Sequence, residues 1–191
     1  MSDPSMLQEY FQIVHSKRVN KDIGILCLSE NRKSILMWSH YADEHSGFVV
    51  GFDSEDPFFH HHQDEQEDIG KLFRVNYSEK RTLIDVKTIR DGINLPDIFF
   101  TKNKEWGYEQ EWRIIRLLKG ANETHPNNIH LFKVPPTAIR EVIFGCKVQP
   151  HTVDDLFNSI KINPDLSHVA FFDAALSRTK FEMDILLKSV R

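Results

Sequence analysis

The sequence predicts an α+β fold: a mixed, largely antiparallel sheet carrying helices on its faces. Helical periodicity is concentrated early in the chain, and short apolar runs of strand length dominate after it. Regular strand–helix–strand alternation, the mark of a parallel sheet, is absent.

The elements follow in order. Met6, Tyr10 and Ile13 recur at helical spacing, as do Leu7, Phe11 and Val14, so residues 4–17 read as a helix with Pro4 in its first turn. Residues 22–29 (Ile23, Ile25, Leu26, Cys27, Leu28) read as a buried strand. A second helix is expected over 34–44, with Ile35, Trp38, Tyr41, Ala42 and His45 on one face and His40 and Glu44 on another. Gly47 fits a helix stop before a strand over 47–53.

Residues 54–70 are acidic and His-rich and read as an exposed helix or loop. A strand follows over 72–77, then a two-piece helix over 83–100 broken around Pro96. Residues 108–118 are the longest strand candidate, and 120–128 carry turn signals. Strands over 129–134 and 139–144 flank Pro135-Pro136, a helix is marked over 150–161 by Val153, Leu156, Phe157 and Ile160, and a strand covers 169–173. Phe181, Met183 and Ile185 alternate with Lys180, Glu182 and Asp184, which is the period of a half-buried strand.

A chain of 191 residues suits one domain, 1–191. Fourteen Phe, three Trp and four Tyr supply enough ring area to exclude whole-chain disorder. The 24 basic and 28 acidic side chains leave a net charge of −4, which excludes a generic nucleic-acid coat. No apolar run approaches the roughly 20 residues of a membrane span, and residues 1–10 lack the basic and apolar regions of a signal peptide. Cys27 and Cys146 stand in apolar stretches without a CxxC partner. They read as buried thiols in a reducing cytoplasm.

Two stretches concentrate chemistry. Residues 37–47 pack Trp38, His40, Tyr41, His45 and two acids into about two helical turns, with Tyr41/His45 and His40/Glu44 as i,i+4 neighbours. They read either as a polar and aromatic ligand-binding cluster, or as a core helix anchored by Trp38 and Tyr41 with exposed His–Glu pairs. In a strand over 108–118, Glu109, Glu111 and Arg113 share one face while Tyr108, Gln110, Trp112 and Ile114 share the other. Two carboxylates held by a guanidinium suit acid–base or electrostatic catalysis, with Glu111, Glu109 and Arg113 as the candidates. The alternative is a solvated, charge-paired face. Trp38 and Trp112 are both expected in the core.

His60-His61-His62 lie among acids. Adjacent residues do not converge on one tetrahedral ion, and no HExxH or CxxC spacing accompanies them, so no metal site is expected. Lys71, Arg74, Lys80, Arg81, Lys87 and Arg90 are interrupted by acids and read as solvated faces, although a local basic patch keeps phosphate contact open. P-loop, GxGxxG, GxSxG and Cys–His signatures are absent.

Three blocks resemble a bacterial family, the domain of unknown function 2971 (DUF2971). The first is Leu28-Ser29-Glu30, Leu36-Met37-Trp38-Ser39-His40-Tyr41-Ala42, Gly47-Phe48 and Gly51-Phe52-Asp53. The second is Lys104…Trp106…Tyr108-Glu109…Glu111-Trp112-Arg113-Ile114-Ile115. The third is Ala138-Ile139…Glu141-Val142-Ile143-Phe144-Gly145-Cys146. Together they span about 22–185. The family's usual opening strand and Asn-Asp-Pro-Phe-Glu motif have only Asp3-Pro4 as a counterpart, and the expectation is a chain without those strands.

The resemblance implies a layout similar to ADP-ribosyltransferase-like folds. In such a site Glu111 or Glu109 would face the oxocarbenium-like state formed when nicotinamide leaves ribose, Tyr41 would stack on a ring, and Arg113 would position the acid or a phosphate. NAD is then the candidate cofactor and a small-molecule nucleotide the candidate partner, in a bacterial stress or anti-phage response. The alternative is a non-enzymatic regulatory or protein-interaction module. A nucleic-acid-acting protein is a third class, disfavoured by charge. No membrane partner is expected.

Overall fold

A computed structural model describes residues 22–60, 69–81 and 99–188. The helix expected over 4–17, most of the one over 83–100, and His61 and His62 lie outside the described residues. The strands in chain order are β1 (Ile23–Ser29), β2 (Phe48–Phe52), β3 (Leu72–Arg74), β4 (Asn76–Ser78), β5 (Thr101–Asn103), β6 (Glu111–Leu117), β7 (Glu123–His125), β8 (Ile129–Leu131), β9 (Ile139–Phe144), β10 (Ala170–Leu176) and β11 (Met183–Leu187). The described α-helices are α1 (Ile35–Tyr41) and α2 (Pro150–Ile162). The α+β class is borne out, with the strands divided among four sheets rather than gathered into one. The described residues group into two units, one drawn from Met1–Leu28 and Phe59–Lys133, the other from Ser29–Phe58 and Val134–Arg191.

In the first unit β6 is the central strand of a three-stranded sheet in the order β1-β6-β3, with β3 antiparallel to it. Ile114 and Ile115 point to opposite faces of β6, and both are buried, so the strand is covered on both sides. The strand expected over 72–77 splits at Val75, whose N–H donates to the Glu111 carbonyl at 2.9 Å. Beyond it the chain leaves β6, and β4 pairs in parallel with β5. The turn expected over 120–128 contains β7 and the reversal of the β7–β8 hairpin, which places Asn127 and Asn128 at φ 67° and 58°. Asn tolerates that region better than most side chains.

The second unit holds a four-stranded sheet in the order β11-β10-β9-β2. β9 and β10 run parallel, joined through α2, while the two outer pairs are antiparallel. Val142, Phe144 and Phe171 pack with Ile160 of α2 on one face, and Ile143, Ala174 and Met183 pack with Trp38 and Ala42 on the other. The Trp38 indole is 1% exposed, and its Nε1 donates to the Arg32 carbonyl at 2.8 Å, so the ring is buried without an orphaned donor.

α1 is capped by the Ser34 hydroxyl, which accepts from the Met37 N–H at 3.3 Å, and it stops at Tyr41 rather than 44. Asp43, Glu44 and His45 follow at φ 48°, 50° and 72°, a left-handed turn in which the expected Tyr41/His45 and His40/Glu44 helical pairs do not form. Tyr41 is exposed, which corrects its reading as a core anchor. Gly47 serves close approach rather than helix termination, since a Cβ there would lie 3.1 Å from the Ala42 carbonyl oxygen. Gly145 is tighter still: a Cβ would lie 2.1 Å from the His45 carbonyl oxygen. Trp112 is half-buried, and Cys27 and Cys146 are exposed residues, so those three core expectations are corrected.

One substitution tests this packing. Trp38→Ala is expected to lower unfolding free energy by about 3–5 kcal/mol, measured by chemical denaturation, because a buried indole leaves a large void. An unchanged midpoint would contradict its place in the core.

Candidate functional site

The strongest concentration of charge lies in the first unit. β6 begins at Glu111, and the two-residue strand period puts Glu111 and Arg113 on one face. Glu109 is not on that strand, contrary to expectation. It ends a 3-10 turn over Lys104–Glu109, and Gln110 at φ 45°, ψ 52° swings the chain into β6. Lys102 on β5 reunites the two acids: its Nζ donates to the Glu109 carboxylate and to Glu111 Oε2 at 3.1 Å. Arg113 closes a fork on Glu111, Nε to Oε1 at 2.8 Å and Nη2 to Oε2 at 3.0 Å, and its Nη1 donates to the Phe99 carbonyl. The Glu111 N–H donates to the Tyr77 hydroxyl oxygen at 2.8 Å. The Lys102 ammonium lies 4.9 Å from the centre of the Trp106 ring.

Glu109 and Glu111 are 2% and 6% exposed, which corrects the reading of a solvated face. Lys102 and Arg113 balance the two carboxylates charge for charge, so these four side chains sum to zero. Burial by itself raises the Glu111 carboxyl, but hydrogen bonds from Arg113, Cys27 and Lys102 overcome it and pull the group down to about 2. Burial also lowers Lys102 by itself, and its bonds to Glu109 and Glu111 reverse that and raise it. Although Cys27 as a residue is exposed, its sulfur turns partly inward against the same carboxylate, and the thiol is pushed up to about 11 by that partial burial and then by Glu111. Burial raises the Tyr77 hydroxyl as well. At neutral pH the Glu111 carboxylate is therefore charged, Lys102 and Arg113 are cations, and the Cys27 thiol and Tyr77 phenol are neutral.

Sequence reasoning missed Lys102, Cys27 and Tyr77. Tyr77 and Lys102 meet because β4 and β5 pair in parallel with those residues opposite each other. No local spacing announces such a pairing. The available signal was the acid pair itself, because buried carboxylates require nearby cations.

The other predicted residues, Trp38, His40, Tyr41 and His45, belong to the second unit. Trp38 is core and Tyr41 is 62% exposed, so the helix sends them to different environments. The His40 and Tyr41 rings meet edge to face with centroids 6.3 Å apart. His45 Nδ1 is buried with no hydrogen-bond partner among the described residues. Among the described residues no group of three or more His, Cys, Asp or Glu is placed to hold a metal ion, and His60 is exposed. No described helix is long and apolar enough to cross a membrane.

The family model of DUF2971, a protein of unknown function, matches residues 37–114. That stretch is narrower than the 22–185 read from the residues, and it leaves out Leu28-Ser29-Glu30 and the Ala138–Cys146 block. It contains all seven predicted site residues. No curated protein and no solved structure matches the chain.

The cluster generates three expectations. In a Cys146→Ser background, Cys27 should react with a disulfide reagent more slowly at pH 8 than a free thiol does, and Glu111→Gln should speed it by removing the neighbouring charge. Equal rates would contradict the thiol–carboxylate contact. Because the folded Glu111 pKa lies below its ordinary value of 4.5, its contribution to stability is complete above about 4.5 and is lost as pH falls toward about 2. Glu111→Gln should therefore flatten the acid limb of unfolding in that window. Lys102→Met, which takes the ammonium from both buried acids, should cost about 3 kcal/mol at neutral pH by chemical denaturation.

Proposed function

We propose that this protein is a non-enzymatic regulatory or protein-interaction module, and that the Lys102–Glu109–Glu111–Arg113 cluster is an internal fastening. The observation supporting this is the disposition of the Glu111 carboxylate. Arg113 holds both of its oxygens, Lys102 shares one of them, and the group is buried. A carboxylate that stabilises a cationic sugar must turn its charge and a lone pair toward the substrate. Here that would mean opening a bidentate pair, leaving Arg113 without its carboxylate in a partly buried site and Lys102 held by Glu109 alone. A bacterial cytoplasmic setting in stress or anti-phage response belongs to the same proposal and rests on the family resemblance.

The second reading is a NAD- or nucleotide-using enzyme of ADP-ribosyltransferase-like type, and one observation favours it. The Lys102 ammonium gathers both carboxylates while remaining 24% exposed beside the Trp106 ring, a cation and an aromatic plate of the kind that suits phosphate and base. A nucleic-acid-acting role stays the least favoured on the net charge of −4.

Nicotinamide release from NAD, with and without cell extract as acceptor, separates the two readings when combined with NAD-induced thermal shift. The expected result is no release above buffer and no shift. Release by the wild type that disappears in Glu111→Gln, measured at a temperature where both proteins are folded, would overturn the module and install the enzyme.

A further inference from the structure

β11 ends its sheet: the order β11-β10-β9-β2 leaves its outer edge without a strand among the described residues. The direction of each backbone group along it follows from the register. β11 pairs with β10 so that Leu186 faces Asp173 and Asp184 faces Ala175, and flanking bonds run from the Lys188 N–H to the Phe171 carbonyl and from the Ser177 N–H to the Glu182 carbonyl. Even-numbered residues thus spend their N–H and C=O groups on β10, and odd-numbered residues direct theirs outward. The Met183 N–H bears this out by donating outward to the Lys33 carbonyl at 2.9 Å. That contact closes the first position of the edge. Ile185 and Leu187 are left with outward groups that no described backbone group meets, and the exposed Leu186 and Leu187 side chains flank them.

We propose that this edge pairs with the same edge of a second copy of the chain, antiparallel and two-fold symmetric, with Ile185 of each copy opposite Leu187 of the other. The register selects this occupant. Antiparallel self-pairing needs paired residues whose backbone groups both point outward. Placing Ile185 opposite itself would set Met183 across from Leu187, but the Met183 N–H is already bonded. The next symmetric register uses only Ile185 and Leu187, the two residues whose outward groups are unmet. It places Leu186 against its own copy and brings Asp184 opposite the second copy's Lys188. The strand is therefore self-complementary in charge as well as in hydrogen bonding, since unlike charges directly across a strand pair attract and like charges repel. Lys188 lies on the face that Asp184 shares; its ammonium bonds both Asp173 oxygens, at 2.7 and 3.0 Å, and stands 5.5 Å from the Phe144 ring centre, so it meets the second copy's Asp184 by turning outward from β10. An isologous contact of this kind closes as a dimer rather than growing.

The test uses sedimentation equilibrium on the full chain over a concentration series reaching about 0.5 mM. Wild type is expected to be in monomer–dimer equilibrium. Leu187→Pro removes an N–H that points away from β10, so it leaves the internal ladder intact and should abolish dimerisation while circular dichroism stays native. D184K and K188D, each placing like charges across the pair twice, should each weaken association about tenfold or more. An equal mixture of D184K and K188D chains restores unlike charges at both cross-strand positions and should recover the wild-type affinity as a mixed dimer. A wild type that stays monomeric throughout, an association indifferent to Leu187→Pro and D184K, or a mixture that recovers nothing would each overturn the proposal.

Discussion

Two carboxylates buried at the entrance to one strand set the terms for the first unit. Carboxylates cannot stay ionised away from water unless cations follow them inside, and the fold brings Lys102 to both Glu109 and Glu111 and Arg113 to Glu111. Lys102 must come from a separate strand, so β5 has to dock beside the turn that ends at Glu109. Arg113 must share a face with Glu111, so the start of β6 has to keep its pleat. Tyr77 meets the Glu111 backbone from β4. Moving β5 or the start of β6 would part a buried carboxylate from its cation, which ties both segments to one placement.

The same pairing bears on what the cluster can do. A carboxylate pulled down to about 2 by its cations is a poor proton donor or acceptor at neutral pH. The neutral, high-pKa thiol of Cys27 is likewise a weak nucleophile. On the proposed reading, the chemistry concentrated here holds a strand in place.

Much of the fold was legible in the sequence wherever a pattern is local. β1, β2, β9 and α2 fall within a residue or two of the runs that announce them, because apolar period and flanking turn residues are sufficient signals there. The failures share a cause. α1 stops short because three consecutive left-handed residues, none of them glycine, carry the chain out of it, and no local preference foretells that run. The strand over 72–77 divides, and the one over 108–118 starts late, because pairing partners distant in sequence decide where a ladder begins. The candidate site was legible in its acids and its arginine, and illegible in the lysine that brings the acids together.

The second unit is discontinuous in sequence, and that has a consequence for synthesis. Among the described residues β2 finds its partner in β9, where Phe48 lies opposite Phe144, and the stretch Phe59–Lys133 is made between them. A ribosome delivering the chain exposes the apolar Phe48–Phe52 strand long before its neighbour emerges. Such distant closure makes folding slow, and an unpaired apolar strand waiting through it is a point of vulnerability to aggregation. The first-unit stretch, by contrast, holds β3, β4, β5 and β6 within one continuous span and is complete in sequence before β9 appears. Yield in the cell should therefore be governed by how long β2 is shielded, and less by the equilibrium strength of the finished sheet.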